Sequence, residues 1–378
     1  MSDLLQRGTG VPIYLQLSDI LLQRILSGEW KLGSSMPAEP ELCEEFGVAR
    51  GTIRQALSRL EHEGFIQRER GRGTLVIWNN DRPRSQGLSG NQIGFVVPYV
   101  RDSFVPNILL GVEQAAAEQG LSVTFKHVEN DHARQVEVLE ALVAQRLAGI
   151  VLYPVDSTPV ESLVRLIRSG YPIVLADRYL RGVASDYVMS DHFGGALRAA
   201  QHLIQLGHER IGFISWSDPA VSLEHRAAGY QRALMEAGLP YDPALVCTVE
   251  GYPVVSLDPI CNYLILYPEI TAIFTANDQI ALGVYRAARQ IGKRIPQDLA
   301  LVGFDDLDFT DHLDVPLTTV AQQTLEIGRT AVQLLTRRIR QQVDDWQQIV
   351  LPTHLVIRRS CGAHLKTTIP TVYEPNIE

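Results

Sequence analysis

Two groups of side chains in this sequence have types and spacings that could do chemistry. The first is a set of acids, an amide, arginines and an aromatic at the ends of short apolar runs. Asp177-Arg178 closes one run, Trp216 and Asp218 follow another with Arg226 beyond them, and Asn277-Asp278 and Asp305-Asp306 close two more. Carboxylates and an amide accept or bridge hydroxyls, a guanidinium donates in a fixed fork, and a ring packs on the apolar face of a sugar. Converging on one cleft, such groups suit a polyhydroxylated ligand. Asp and Asn placed after strands also cap helices, and Asp278 is expected to do so. The second group is basic. From Arg50 to Arg72 there are six arginines against three glutamates, with Arg50 and Arg54 one helical turn apart. A basic block confined to one face of an acidic protein points to a polyanion.

Composition narrows the options. At 378 residues the chain exceeds one ordinary core, so two or three domains are expected. A hydrophobic fraction of 46% with 20% charged residues describes a folded chain. The formal charge of −9 lies almost wholly beyond residue 78. No run of 18 predominantly apolar residues suggests a membrane span. The first apolar stretch, 11–26, is broken by Asp19 and Arg24, so no signal peptide is expected and the location reads as cytoplasmic. Cys43, Cys247, Cys261 and Cys361 are scattered, as reduced thiols would be. No nucleophile elbow, zinc-type His-Glu motif, phosphate loop or metal-spaced cluster occurs, so neither an enzyme nor a cofactor is expected. Asp305-Asp306 makes a poor hydrolase dyad, since adjacent side chains project apart whereas glycosidase carboxylates flank a bond.

The basic residues need a frame. Leu17, Leu21 and Ile25, with Ile20 and Leu22, recur at helical spacing until Gly28. Pro37 opens a second helix that carries Glu39 and Glu41 in its first turn, buries Leu42 and Phe46, and ends at Gly47. A third helix, 50–63, buries Ile53, Ala56, Leu57 and Leu60 and turns Arg50 and Arg54 outward. Two short strands, 65–70 and 74–77, meet at Arg70-Gly71-Arg72-Gly73. Three helices and a basic hairpin make a DNA-docking surface. The runs Pro12-Ile13-Tyr14, Pro37-Ala38-Glu39, Val48-Ala49-Arg50-Gly51-Thr52-Ile53-Arg54-Gln55-Ala56-Leu57 and Arg70-Gly71-Arg72-Gly73-Thr74 resemble the GntR-type winged helix over 11–77. That resemblance implies DNA contacts from Arg50, Thr52 and Arg54 on the recognition helix and from Arg72, Gly73 and Thr74 on the wing, where Arg70 also stands. The chain departs from the pattern at Pro40, often Arg, and at Ala49, usually Ser or Thr. Alanine at that N-cap forgoes ~1 kcal/mol of capping.

Residues 79–92 are polar and rich in Gly and Ser, as a linker would be. Beyond them, strand candidates at 93–97, 122–126, 149–153, 172–176, 187–190, 210–215, 272–276 and 299–303 alternate with helical patterns such as 108–118, 133–144, 195–206, 226–237 and 279–290. Near-continuous apolar strands between helices indicate parallel sheets covered on both faces, with ligands at the strands' carboxyl ends. Some 270 residues suit two α/β lobes. The runs Gly207-His208-Glu209-Arg210-Ile211-Gly212-Phe213-Ile214, Arg226-Ala227-Ala228-Gly229-Tyr230, Ala276-Asn277-Asp278-Gln279, Val302-Gly303-Phe304-Asp305-Asp306 and Pro316-Leu317-Thr318-Thr319-Val320 resemble the LacI/GalR effector domain. That resemblance, over 93–362, implies a periplasmic-binding-protein-like bilobal fold, usually dimeric and sugar-responsive. It implies ligand contacts from Asp177, Arg226, Asn277 and Asp305, with Trp216 and Phe104 as stacking groups. The whole chain resembles the arabinose repressor group.

The expected organisation is therefore an α+β winged helix-turn-helix at 1–78, the linker 79–92, a bilobal α/β effector and dimerisation domain at 93–362, and a tail at 363–378. Lobe one takes 93–190 and 321–345, and lobe two 191–320 and 346–362. The chain crosses between lobes near Ser190-Asp191, near Thr318 to Ala321, and after the helix 325–340. Double-stranded operator DNA and a small sugar are the expected partners. Repression is the better reading than activation, because no polymerase-contact module is evident.

Overall fold

The computed structural model describes residues 13–26, 29–31, 33–62, 65–69, 72–77, 91–100, 102–250, 255–342 and 345–366. The chain forms two compact units, 1–87 and 88–378. The expected linker, 79–92, lies almost wholly outside the described residues, as do Arg70 and most of the tail.

In the first unit α1 (Ile13–Leu26), α2 (Glu39–Phe46) and α3 (Arg50–His62) precede an antiparallel hairpin of β1 (Ile66–Glu69) and β2 (Gly73–Val76). Leu17, Leu21, Ile25, Leu42, Phe46, Ile53, Leu57, Leu60 and Phe65 close one small core. The helix α2 starts at Glu39, two residues later than Pro37 suggests. Ala38 caps it, and the Glu41 carboxylate reaches back to accept from the Ala38 amide at 2.8 Å. Ala49 stands at the start of α3, its carbonyl accepting from Thr52 and Ile53.

The second unit contains two six-stranded sheets. One is built from β3 (Gln92–Val97), β4 (Ser122–His127), β5 (Gly149–Leu152), β6 (Ile173–Ala176) and β7 (Asp186–Ser190), with α4 (Phe104–Glu118), α5 (His132–Ala144) and α6 (Glu161–Arg168) between them. After α7 (His192–Gln205) the other is built from β8 (Ile211–Trp216), β9 (Val246–Val249), β10 (Ala272–Thr275), β11 (Ala300–Asp305) and β12 (Thr318–Ala321). Between these strands lie α8 (Val221–Glu236), α9 (Leu257–Leu266) and α10 (Asp278–Gln290). Then α11 (Thr324–Ile339) and β13 (Gln348–Leu351) return to the first sheet, and β14 (His354–Val356) to the second. The strand orders are β13-β7-β6-β5-β3-β4 and β14-β12-β11-β10-β8-β9, parallel throughout except for β14. This is the two-lobed α/β architecture.

Two of the expected crossing points shift. β12 completes the second sheet, so that crossing falls at Gln322-Gln323. β13 pairs with β7 in the first sheet, so residues 348–351 belong to lobe one and the last crossing falls at Pro352-Thr353, not after α11. A helix end marks a change of element, but only strand pairing fixes the sheet. Each lobe is backed by a close helix pair. A Cβ at Gly111 of α4 would stand 2.0 Å from the Leu325 carbonyl, and one at Gly229 of α8 would stand 2.4 Å from that of Phe193. Glycine is what lets those helices approach.

Candidate functional site

On the first unit, α3 presents Arg50 and Arg54 to solvent while Ile53, Ala56 and Leu57 face the core. Both guanidiniums meet one acid, Glu39 at the start of α2. Arg50 Nε lies 2.9 Å and Arg54 Nε 3.1 Å from Glu39 Oε2. The Arg50 hydrogen bond leads in holding the Glu39 carboxyl below its ordinary range. The sequence showed Glu39 only as a first-turn acid of α2, not as the partner of both arginines. Thr52 is partly exposed on α3. Arg72 and Gly73 stand exposed at the hairpin, with Arg72 Nη1 3.2 Å from Glu69 and Gly73 at φ +85°, and Thr74 follows half-buried. The structure thus puts Arg50, Thr52 and Arg54 on one helix and Arg72, Gly73 and Thr74 on one turn.

On the second unit, a cleft of about 610 Å³, partly open to solvent, lies between the carboxyl ends of the two sheets. Phe104, Asp177, Trp216, Arg226, Asn277 and Asp305 all line it. Phe104 opens α4 and Asp177 follows β6 on lobe one. Trp216 ends β8, Arg226 lies in α8, Asn277 follows β10 and Asp305 ends β11 on lobe two. The lobes touch at the rim. Ser157 Oγ accepts from the Val221 amide at 3.0 Å, Ser103 Oγ accepts from the Asp308 amide at 3.2 Å, and Arg181 pairs with Glu224.

Inside, the charged groups are buried and interlocked. Arg226 Nη2 lies 3.2 Å from Asp305 Oδ1, Nη1 donates to the Ala276 carbonyl, and Nε donates to His192 Nδ1 at 3.3 Å. Its guanidinium rests 3.8 Å from the Phe304 ring centre. Gln322, at the second crossing, donates from Nε2 to Asp305 Oδ1 at 2.7 Å. Burial drives the Asp305 carboxyl up to about 7 against the pull of Arg226, with Asp102 and Asp177 adding to the rise. Asp305 is held at φ +116°, a strained conformation for any residue with a side chain. On lobe one, Arg178 donates to Tyr153 Oη at 2.7 Å and to the Val155 carbonyl at 2.9 Å. Asp177, at φ +66°, keeps Oδ1 buried with no hydrogen-bond partner among the described residues.

The expected cap at Asp278 belongs to its neighbour. Asn277 Oδ1 accepts from the Ile280 amide at 3.0 Å. Asp278 is instead buried, accepting from the Leu307 amide at 2.9 Å and from Thr319 Oγ1 at 2.6 Å. Burial, then the nearby Asp305, push its carboxyl well above the usual range. Asn277 thus lines the cleft with its Oδ1 already used as the cap. Sequence reasoning missed His192 and Gln322, and it named Arg178 beside Asp177 without counting it among the ligand contacts. Adjacency to Asp177 was the available signal for Arg178, whereas the others sit on crossings whose place depends on topology.

Among the described residues no group of three or more His, Cys, Asp and Glu could hold a metal ion, and no helix is long and apolar enough to cross a membrane. An exposed-arginine winged helix followed by a bilobal domain with a buried polar cleft defines a ligand-responsive DNA-binding regulator. A family model for the gntR family of bacterial regulatory proteins matches residues 13–76, and one for the periplasmic binding protein-like domain matches 200–361. The arabinose metabolism transcriptional repressor of Geobacillus stearothermophilus is 31% identical over 360 residues, covering 93% of this chain and 98% of that one. The HTH-type transcriptional regulator CelR of Thermobifida fusca is 31% identical over 335 residues, covering 83% and 95%. A solved CelR–cellobiose complex superposes with a TM-score of 0.68 at 26% identity, covering 86% of this chain and all (100%) of that one. A LacI-family regulator from Enterococcus faecium with bound ribose gives 0.61 at 26% identity, covering 71% and 98%. The chain belongs to the family of transcription regulators that join a gntR-type winged helix to a LacI-type effector domain.

Proposed function

We propose that the chain represses genes of carbohydrate use in the cytoplasm, without catalysis, as a homodimer whose operator affinity is set by an uncharged sugar. The observation that carries the sugar is the bare Asp177 Oδ1. A buried carboxylate oxygen without a donor costs ~1–3 kcal/mol or more, and a ligand hydroxyl supplies the donor. Arg226 and Arg178 are already tied to protein acceptors, so neither is free to neutralise a phosphate. Asp177, Asn277, Arg226 and Asp305 hold the hydroxyls, and Trp216 and Phe104 flank the ring. Arg50, Thr52 and Arg54 read base edges, while Arg72, Gly73 and Thr74 follow the backbone at the wing. The relatives' names direct the choice of sugars to try.

The test is thermal unfolding of the full chain with arabinose, ribose, cellobiose and ribose 5-phosphate. A sugar at 100 times its Kd adds ~2.7 kcal/mol. One neutral sugar should raise Tm in the wild type but not in Asp177→Ala. A response only to the phosphorylated sugar would contradict the reading.

A further inference from the structure

His192 opens α7 immediately after the first crossing between the lobes, and its ring is buried. Its Nδ1 accepts from Arg226, with Nε at 3.3 Å and Nη2 at 3.2 Å. A ring nitrogen that accepts from a guanidinium carries no proton, so in the neutral ring the proton sits on Nε2. Nε2 faces lobe one, 3.4 Å from the Asp177 carbonyl and 4.0 Å from the Asp177 Oδ1 that lacks a donor. The Phe304 ring, which also supports the Arg226 guanidinium, stands 5.9 Å from the imidazole. One imidazole therefore touches the ligand-facing acid of lobe one and the arginine that pairs with Asp305 on lobe two.

We propose that His192 is a positioning residue of the effector site, fixing Arg226 on lobe two through Nδ1 and backing Asp177 on lobe one through Nε2–H. The inference rests on the reading of the cleft as a sugar site. Three donors and a ring leave Arg226 one orientation, and His192 supplies the acceptor along the Nε–Nη2 edge of the fork. His192 and Arg226 stand on the packed helices α7 and α8 of lobe two, so a rotation of the lobes moves Asp177 relative to the ring and leaves Arg226 in place. The contact between His192 and Asp177 therefore depends on how the lobes are rotated, whereas the one with Arg226 does not. Burial, then the positive charge of Arg226, hold the imidazole well below its ordinary value, and so neutral where the protein works.

Histidine-selective ¹⁵N labelling of the sugar-free full chain reads the tautomer directly, His192 being assigned by the signal lost in His192→Asn. The expected spectrum has a bare Nδ1 and a protonated Nε2 that persist on mild acidification. A proton on Nδ1, or titration near the ordinary histidine range, overturns the proposal. Calorimetry with arabinose, ribose and cellobiose supplies the second readout. His192→Phe keeps the volume but strands the Arg226 donors, and should weaken the sugar that binds by ~10–100-fold, the loss of one charge-assisted hydrogen bond. His192→Asn places an amide oxygen near the Nδ1 position and should recover most of that loss at a similar Tm. Equal affinity in His192→Phe, or no recovery in the folded Asn variant, contradicts it. If none of the three sugars binds the wild-type chain, it is the sugar reading that fails, and the tautomer spectrum still decides the geometry proposed for His192.

Discussion

The chain uses arginine in two opposite ways. Arg50 and Arg54 of the first unit have side chains 63% and 58% exposed and share one carboxylate at the surface. Arg226 of the second unit is 5% exposed, and its donors go to a carboxylate, a carbonyl and an imidazole. In water an ion pair such as Glu39 with Arg50 is worth little and is screened by salt, so those guanidiniums exchange readily to guanine edges or phosphates. In the cleft the same group is a fixed part, able to orient a neutral ligand but not to take on a new anion. Exposure, more than residue type, separates the surface proposed to read a polyanion from the cleft proposed to read a polyol.

The largest effect should come from breaking the buried member. Arg226→Ala leaves Asp305 without its cation and should cost ~2–5 kcal/mol of sugar binding, read by calorimetry. Wild-type affinity in that variant would remove Arg226 from the site. On the exposed side, Arg50→Ala or Arg54→Ala should cost ~1–3 kcal/mol at a specific operator. Arg72→Ala should instead weaken binding evenly across sequences and reduce the salt slope by about one. Operator binding unchanged in Arg50→Ala would disprove its place on the recognition helix.

The electrostatics of the cleft make a subtler prediction. Asp305 is raised to about 7, so its carboxylate form is lost as pH falls through that value. A sugar hydroxyl donating to the carboxylate should bind more weakly below about pH 7, by up to ~10-fold per pH unit, and level off above. In the sugar-free chain a raised carboxyl works the other way, its contribution to stability falling as pH rises from about 4 to about 7. An affinity profile flat from pH 5.5 to 8 would show that Asp305 does not accept from ligand. Smallest of all, Ala49→Ser should raise the first unfolding transition of the full chain by ~1 kcal/mol, since Ala49 already occupies the cap position and lacks only an acceptor. No change in that transition would mean that a hydroxyl at position 49 does not reach the amides of α3.

Much of this was readable in the residues because burial writes itself into pattern. β5, β6, β8 and β10 are buried at every position and stand out as short apolar runs. β9, β13 and β14 lie at or near sheet edges with half-exposed residues, and so carried no such run. α6, amphipathic but only eight residues long, and α9, whose exposed Ile265 and Leu266 blur its polar face, were not among the helices read from the sequence. The six cleft residues were legible because parallel strands bring their carboxyl ends together wherever the lobes meet. His192 and Gln322 were not, since their partners Arg226 and Asp305 stand 34 and 17 residues away and meet them only through the crossings. Between Asn277 and Asp278 nothing in the sequence chose the cap, and backbone direction decided it.

The central claim is that a neutral sugar held by the buried groups changes how the exposed arginines engage DNA. Fluorescence anisotropy tests it most directly, using the full chain and a duplex recovered by in-vitro selection, titrated with arabinose, ribose and cellobiose. The account predicts that one of these sugars shifts operator affinity by ~5–150-fold, that operator shifts sugar affinity by the same factor, and that Asp305→Ala abolishes both. Superimposable operator isotherms with and without a sugar shown by calorimetry to bind would contradict it.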